Sequence, residues 1–587
     1  LYVARAQIKD YKMPTPWIIE GNIDSRWPIN TRGNVGEVYP EVVTPLSYKL
    51  GVLPGEKAWR EAYRVLGLLK SDDFSSSEPV IIGLYGGYVY LNLSYLRMMG
   101  VRAPGSSAEA IDVSFFGEGD PPKYVPRKGD KSFLSSLKIL KVVLNALNAK
   151  KLPKVVAESF EIAARYETQR PPLDATDEEL IEFLHSFPDA FFPAFRNHML
   201  SSALAAVVSG TLADASAAAG EPGLVTHLVG ASGDVHSAQY SNDLYQIAKK
   251  VKEIPVVNIE FDTGVEGLLE RLKGKPEAKE FFKLFEEFIT EHGHRGPNDW
   301  EISSRTWENS PELALMALDR MRVAEHDLSP SVRLQDNESK RLEAAKKVRP
   351  HLGFKERLQF NKALKSAPFW AQAREATRDR AVRVNLPAKQ VYRELVRRAA
   401  DRGGHPDPVR VALLDPYSEL PEYLKNPDTY ISIIEERGKL FDRFSKVTPP
   451  FFISAQEEVL TLEELEEIEN SLDIIQPARS GDVLTGNAGS SGNAKGRARI
   501  VMDPADAFNF EPGDVLIAPF TDPAWTPLFL PAAAVVVNVG ALMSHAIIVS
   551  RELGIPCVVA VEGATEKIPE GAMVEVDGTA GTVKLLN

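Results

Sequence analysis

A single cysteine, Cys557, stands in 587 residues. Internal disulfides and cysteine metal clusters are thereby excluded. Such sparing use fits a reducing cytoplasm, which is the expected location. Positive charge is also in deficit: 68 Lys and Arg face 81 Asp and Glu, a formal net charge of −13. Proteins that bind duplexes offer a basic surface, so a nucleic-acid role is not expected. Long hydrophobic runs are missing. The most apolar stretch, residues 528–543, is broken by Pro531, Asn538 and Gly540, well short of the roughly 20 residues that span a bilayer. No membrane role is expected. The N-terminus has no basic segment leading into an apolar core, so no secretory signal is read. The first residue is Leu1 rather than Met, which suggests residues upstream or a longer polypeptide.

What is present is ordinary globular composition. Hydrophobic residues make up 44% and charged residues 25%, which argues against a mostly disordered chain. The length predicts about three to five domains, or one large domain with a small one. The first ten residues begin like a strand, and a Pro- and Gly-rich stretch follows. Helical spacing starts near Glu56. Residues 80–93 read as a hairpin around Gly86-Gly87. From about Phe133 to Leu472 helices dominate. Thr176 and Glu179 form a capping-box pattern. The Ala-rich segment 201–220 reads as a tightly packed helix ending near Gly220. Pro387 is expected to break or kink the helix that runs through residues 373–403.

At about Gln476 the pattern changes. Five short β-branched runs (DVLIAP, AVVVNV, CVVAV, MVEVDG, TVKLL) flank one helix at 546–553, which predicts a compact α/β module of about 105 residues. Within it, Val535-Val536-Val537 leads to Gly540. Ser544 is a plausible N-cap, His545 stands in the first helical turn, and Gly554 then Pro556 close the helix. A helix N-terminus offers unpaired N–H groups and a positive dipole end, an anion site suited to phosphate. A neutral imidazole there is a nucleophile able to carry a phosphoryl group. The plainer reading of one histidine is a helix cap or packing residue.

The run Gly540-Ala541, Ser544-His545, Ser550-Arg551-Glu552, Gly554, Ile555-Pro556 and Val558-Val559 resembles the phosphohistidine, or mobile, domain of the phosphoenolpyruvate-utilising enzyme superfamily. GRARIV (496–501), GDVLIAPFTDPAWTPLF (513–529) and VEVDGTAGTVKLL resemble the same domain. Ala541 departs from the pattern, which usually has a second glycine. The resemblance implies that His545 is the phosphocarrier, with Gly540 and Ser544 supporting its loop.

The first 475 residues resemble, more loosely, the substrate domain of rifampin phosphotransferase-like enzymes. The quotable segments are 34–50, 88–94, 292–311 and 373–383. His294-Arg295 precede a Gly296-Pro297 turn, which fixes their side chains. A guanidinium binds phosphate through paired hydrogen bonds, so Arg295 is the candidate clamp. His294 or Glu301 is the candidate base for an acceptor hydroxyl. Arg374, Glu375, Arg378 and Glu37 are further candidates for phosphate or substrate binding. Arg374 and Arg378 share a helix face, and the plainer reading of that set is a solvated, salt-bridged surface.

These features imply an α+β multidomain chain, a large mainly helical substrate-binding domain followed by a small α/β swivelling phosphohistidine domain. Residues 1–10 resemble the last strand of an ATP-grasp domain, 11–475 form the helical acceptor domain, 476–486 the linker and 487–587 the carrier. A complete ATP-grasp fold has no room here, so ATP and Mg²⁺ are expected on an ATP-grasp partner subunit or domain. The barrel that binds phosphoenolpyruvate is not seen after the carrier, so phosphoenolpyruvate is not expected as donor or product. The resemblance implies a dikinase-type phosphotransferase that releases AMP and phosphate and phosphorylates a small phenolic or other organic alcohol. The alternatives are a fragment of a rifampin-type antibiotic phosphotransferase, or a non-catalytic binding protein that retains the fold.

Overall fold

The computed structural model describes Gln7, Ile8 and residues 28–586, apart from segments 71–72, 74–79, 104–105, 116–122, 127–129, 131–132, 152, 230–235, 324–329, 455–458, 461, 463, 465, 468–476, 522–524 and 541–543. Only Gln7–Ile8 of the expected N-terminal strand is described, paired in parallel with Val459–Leu460. The rest of that segment, and most of the expected helix at 461–472, lies outside the described residues.

The helical region is closed by a four-stranded antiparallel sheet. Its order is Ile82–Tyr85, Tyr88–Asn92, Ile29–Thr31, Phe452–Ser454. The hairpin turns on Gly86 and Gly87, both at positive φ (56° and 78°), as a two-residue turn of this hand requires. Pairing of residues 29–31 with 452–454 ties the start of the region to its end. Between them run two long helices in contact, Phe187–Ala218 and Phe354–Arg383. Small residues let them approach: Ala194, Ser201 and Ala205 on the first are buried, as are Ala363, Ala367 and Ala373 on the second. The Ala-rich segment is thus the second half of one 32-residue helix. Its sequence with the preceding helix, Asp177–Ala218, is long and apolar enough by length and composition to cross a membrane. Part of that apolar surface packs against neighbouring helices. The capping box at Thr176 and Glu179 is formed. The break expected near Pro387 comes at Val384, between Phe354–Arg383 and Asn385–Asp401.

The C-terminal module is an eight-stranded sheet. The order is Val483–Thr485, Thr582–Leu585, Met573–Asp577, Asn493–Ile500, Val515–Ala518, Ala534–Val537, Cys557–Val559, Asn487–Ser490. The four strands from Asn493–Ile500 to Cys557–Val559 are parallel. The last three of these are wholly buried, as continuous apolar runs in a parallel sheet should be. Burial pushes the Cys557 thiol up to about 12, which leaves it a packing group. One boundary needs correction. The segment 476–486 is not all linker, because Val483–Thr485 is the edge strand beside Thr582–Lys584 and Ala478 N–H donates to Lys567 O. Glycine and serine marked strand ends here rather than free chain.

The C-terminal module is seated on the helical region. Tyr240, Leu244, Leu315 and Leu318 of the helices share one continuous core with Trp525, Phe529, Leu530, Ala546 and Ile547 of the module. This seating brings the helix His545–Leu553 against the helical region.

Candidate functional site

Local chemistry fixes His545. Ser544 is extended (φ −67°, ψ 158°) and its Oγ accepts from Ile547 N–H at 3.4 Å, so it is the N-cap. Gly554 ends the helix at φ 66°. Gly540 passes so close to the next strand that a Cβ would lie 2.7 Å from Val559 Cβ. Ala541 lies outside the described residues.

The His545 ring is held at both nitrogens. Thr521 Oγ1 lies 3.2 Å from Nδ1 and Thr526 Oγ1 lies 3.1 Å from Nε2. Phe529 meets the ring edge to face, with centroids 5.8 Å apart. The backbone N–H of His545 donates to Glu37 Oε2 at 3.1 Å. Glu37 belongs to the helical region and is buried, so its carboxylate occupies the dipole end of the carrier helix. Burial, then the charges of Arg378, Arg295 and Arg374, hold His545 well below the ordinary histidine value. The ring is neutral in a cationic site, although the chain as a whole is strongly acidic.

The arginines differ in what they are free to do. Arg378 makes no ion pair among the described residues, and its guanidinium lies 6.0 Å from the Trp300 ring centroid. Arg374 contacts Glu375 Oε1 at 3.2 Å. Neither is on a solvated face. Burial lowers the Arg378 value, and Glu375 is itself buried. Arg295 is also buried, but its donors go to Asp299 (3.2 Å) and Asp379. Asp379 Oδ1 also accepts from His294 Nε2 at 3.1 Å. Burial drives His294 down to about 4 in spite of that carboxylate. Burial would raise Asp379, yet Arg295 and His294 hold it well below the carboxylate range. The expected clamp is therefore the centre of a buried ion-pair network. Arg295→Ala is expected to cost about 3–5 kcal/mol of stability, because it strands two buried carboxylates. Chemical denaturation measures this; a midpoint unchanged from wild type would contradict the structural role.

Glu301 also needs correction as a base. Its carboxylate accepts from Thr44 N–H and Oγ1, Ser47 Oγ, and Ser303 N–H and Oγ at 2.6–3.2 Å. Those bonds staple residues 44–47 to 301–303, so the carboxylate is engaged in holding the fold. His294 is engaged through Nε2 as described, and it too serves the network.

Three groups went unread in the sequence. The Tyr240 hydroxyl is hydrogen-bonded to Thr526 Oγ1. Thr521 and Thr526 lie in the segment that resembled the mobile domain, but only the fold turns them onto the ring. His198 is kept neutral by burial and by Arg374 and Arg378, and it packs beside Phe195, which meets Trp300 edge to face at 5.6 Å. Its helical spacing from Phe191 and Phe195 was the one available signal.

Two family models match the chain. The PEP-utilising enzyme mobile domain covers residues 510–581, and the Rifampicin phosphotransferase fourth domain covers residues 190–375. Residues 510–581 are thus similar to the mobile domain of PEP-utilising enzymes, and residues 190–375 to a domain of rifampicin phosphotransferases. Among its curated relatives is the Prodigiosin synthesizing transferase PigC of Serratia marcescens, 25% identical over 97% of this chain and 64% of its own length. The Rifampicin phosphotransferase of Bacillus cereus is 36% identical over 29% of the chain and 18% of its own length. That of Streptomyces sviceus is 28% identical over 59% and 39%. The chain thus spans less than two thirds of these relatives.

Proposed function

We propose that the chain is the acceptor side of an ATP-dependent, dikinase-type phosphotransferase. His545 receives a phosphoryl group from ATP and passes it to the hydroxyl of a small organic acceptor, with release of AMP and phosphate. The carrying observation is the neutral His545 ring facing an arginine, Arg378, that has no ion-pair partner among the described residues. A neutral ring offers a lone pair to phosphorus without first losing a proton. A guanidinium free of carboxylates stabilises phosphoryl charge in transit. The relatives' names support a phosphotransferase reading and an organic acceptor, since one names rifampicin and another prodigiosin synthesis.

ATP supplies the phosphoryl group and Mg²⁺ neutralises its phosphates. Among the described residues no group of three or more His, Cys, Asp or Glu suits a metal ion, so both are assigned to an ATP-grasp partner or domain. The edge-to-face cluster of Phe191, Phe195 and Trp300 beside Arg378 favours an aromatic, phenolic acceptor. The experiment combines the chain, an ATP-grasp partner and radiolabelled ATP, with a panel of phenols and ansamycins. Acid-labile phosphate on the chain, chased onto a phenol with AMP release, is expected. Label chased only onto an ansamycin would favour the antibiotic reading. AMP formation without labelled chain would overturn the carrier role.

A further inference from the structure

Positive charge is in deficit over the chain but concentrated in one place. Residues 346–365 hold seven Lys and Arg against one Glu, a local net charge of +6 in a chain of −13. They run from the last turn of the helix Pro330–Val348, through the turn Arg349–His351, into the start of the helix Phe354–Arg383. The connection is firmly built. Arg341 donates to Leu364 O and Arg349 to Asn361 Oδ1 (3.0 Å), which closes one helix on the other. Gly353 N–H donates to Glu356 Oε2 at 2.9 Å, which fixes the start of the second helix. Val348, Leu352, Phe360 and Ala363 turn inward to a shared core.

Phe354 turns the other way. It is 87% exposed, and Leu358, one helical turn on, is 51% exposed. Lys362 and Lys365 continue the same stripe at i+8 and i+11. Lys346, Lys347 and Lys355 are exposed around the connection. Among the described residues none of these five lysines forms an ion pair. The two arginines of the run are turned back on the fold, Arg349 as above and Arg357 to Leu352 O at 3.1 Å. The charge left without a carboxylate is therefore lysine charge. Lysine is depleted in protein–protein interfaces. Clustered beside an apolar helix face, it is suited instead to anionic headgroups.

We propose that this helical connection docks the chain on the surface of an anionic lipid bilayer. Phe354 and Leu358 enter the boundary between headgroups and acyl chains, and the lysines meet the negative headgroups around them. The absence of a long apolar run in the sequence bears on crossing a membrane; lying on one needs no such run. The surface is separate from His545 and its function is independent of the carrier reading.

The test sediments the purified chain with vesicles of phosphatidylcholine alone, or of two parts phosphatidylcholine to one of phosphatidylglycerol. Binding is expected to the mixed vesicles only, and to weaken as salt is raised. Lys346→Gln combined with Lys347→Gln is expected to weaken it about fivefold for each lysine, the effect of one basic side chain near an anionic surface. Phe354→Ser is expected to weaken it about tenfold or more, from the lost burial of one aromatic ring. Both variants replace exposed side chains, so their circular dichroism and thermal midpoints should match the wild type. No binding, equal binding to both kinds of vesicle, or binding unchanged in both variants overturns the proposal. So does a Phe354→Ser chain that binds vesicles as the wild type does but loses self-association or capture of the ATP-grasp partner, which would make the connection a protein interface. The assay uses neither ATP nor acceptor, so its outcome is distinct from that of the phosphate-labelling experiment.

Discussion

His545→Ala is expected to reduce labelled phosphate on the chain, and phosphorylated acceptor, to background. Among the described residues the groups bonded to the ring nitrogens are the hydroxyls of Thr521 and Thr526, which are poor nucleophiles beside a neutral imidazole. The fold should tolerate the change. The N-cap is Ser544 rather than His545, so a stability change of about 1 kcal/mol is expected. Acid-labile phosphate measured after incubation with ATP and the partner decides the matter. Acceptor phosphorylation near the wild-type rate in this variant would mean direct transfer from nucleotide, without a covalent intermediate.

The second large effect is expected at Arg378. Arg378→Met should slow transfer from phosphorylated His545 to the acceptor by roughly 10²–10³, the loss that follows removal of one preorganised charge-stabilising donor. Under the proposed function His545 is loaded at a separate ATP site, so loading should be spared. Arg378 makes no direct ion pair among the described residues, and burial outweighs the attraction of Asp299 and Glu375, so its removal should leave stability little changed. That separates it from Arg295, whose loss exposes Asp299 and Asp379 to each other. Single-turnover chase from labelled chain reads the step directly. Equal losses in loading and transfer would place Arg378 in the fold rather than at the phosphate.

Local signals in the sequence described the carrier module well, because they are local in origin. Ser544, Gly554 and the apolar runs around them act within a few residues of themselves, and each does in the structure what its chemistry implies. Segment 476–486 was harder. Glycine-rich chain reads as linker, yet its register opposite Thr582–Lys584 is set by a strand a hundred residues away. The arginines show the same limit more sharply. Arg295 and Arg378 look alike in sequence. Only the arrival of Asp379 and Asp299 around one of them separates a buried structural cation from one open to phosphate. Glu301 was misread for a related reason, since its five hydrogen-bond donors come largely from residues 44–47. Tyr240 carried no signal at all. Its partner Thr526 is 286 positions distant, and nothing local distinguishes it from a core tyrosine.

The apolar seat beneath the carrier bears on timing. Each departure of a swinging module must uncover Trp525, Phe529 and Leu530 on one side and Leu244 and Leu315 on the other, at about 25 cal/mol for every Å² of apolar surface returned to water. Attraction of this kind is insensitive to salt and grows with temperature before levelling. Under the proposed function, a module so seated is expected to linger after transfer, and its release is expected to set the pace of repeated cycles, as in other enzymes limited by opening rather than chemistry. Mild chaotropes, which weaken apolar contacts, should quicken the cycle before they harm the fold.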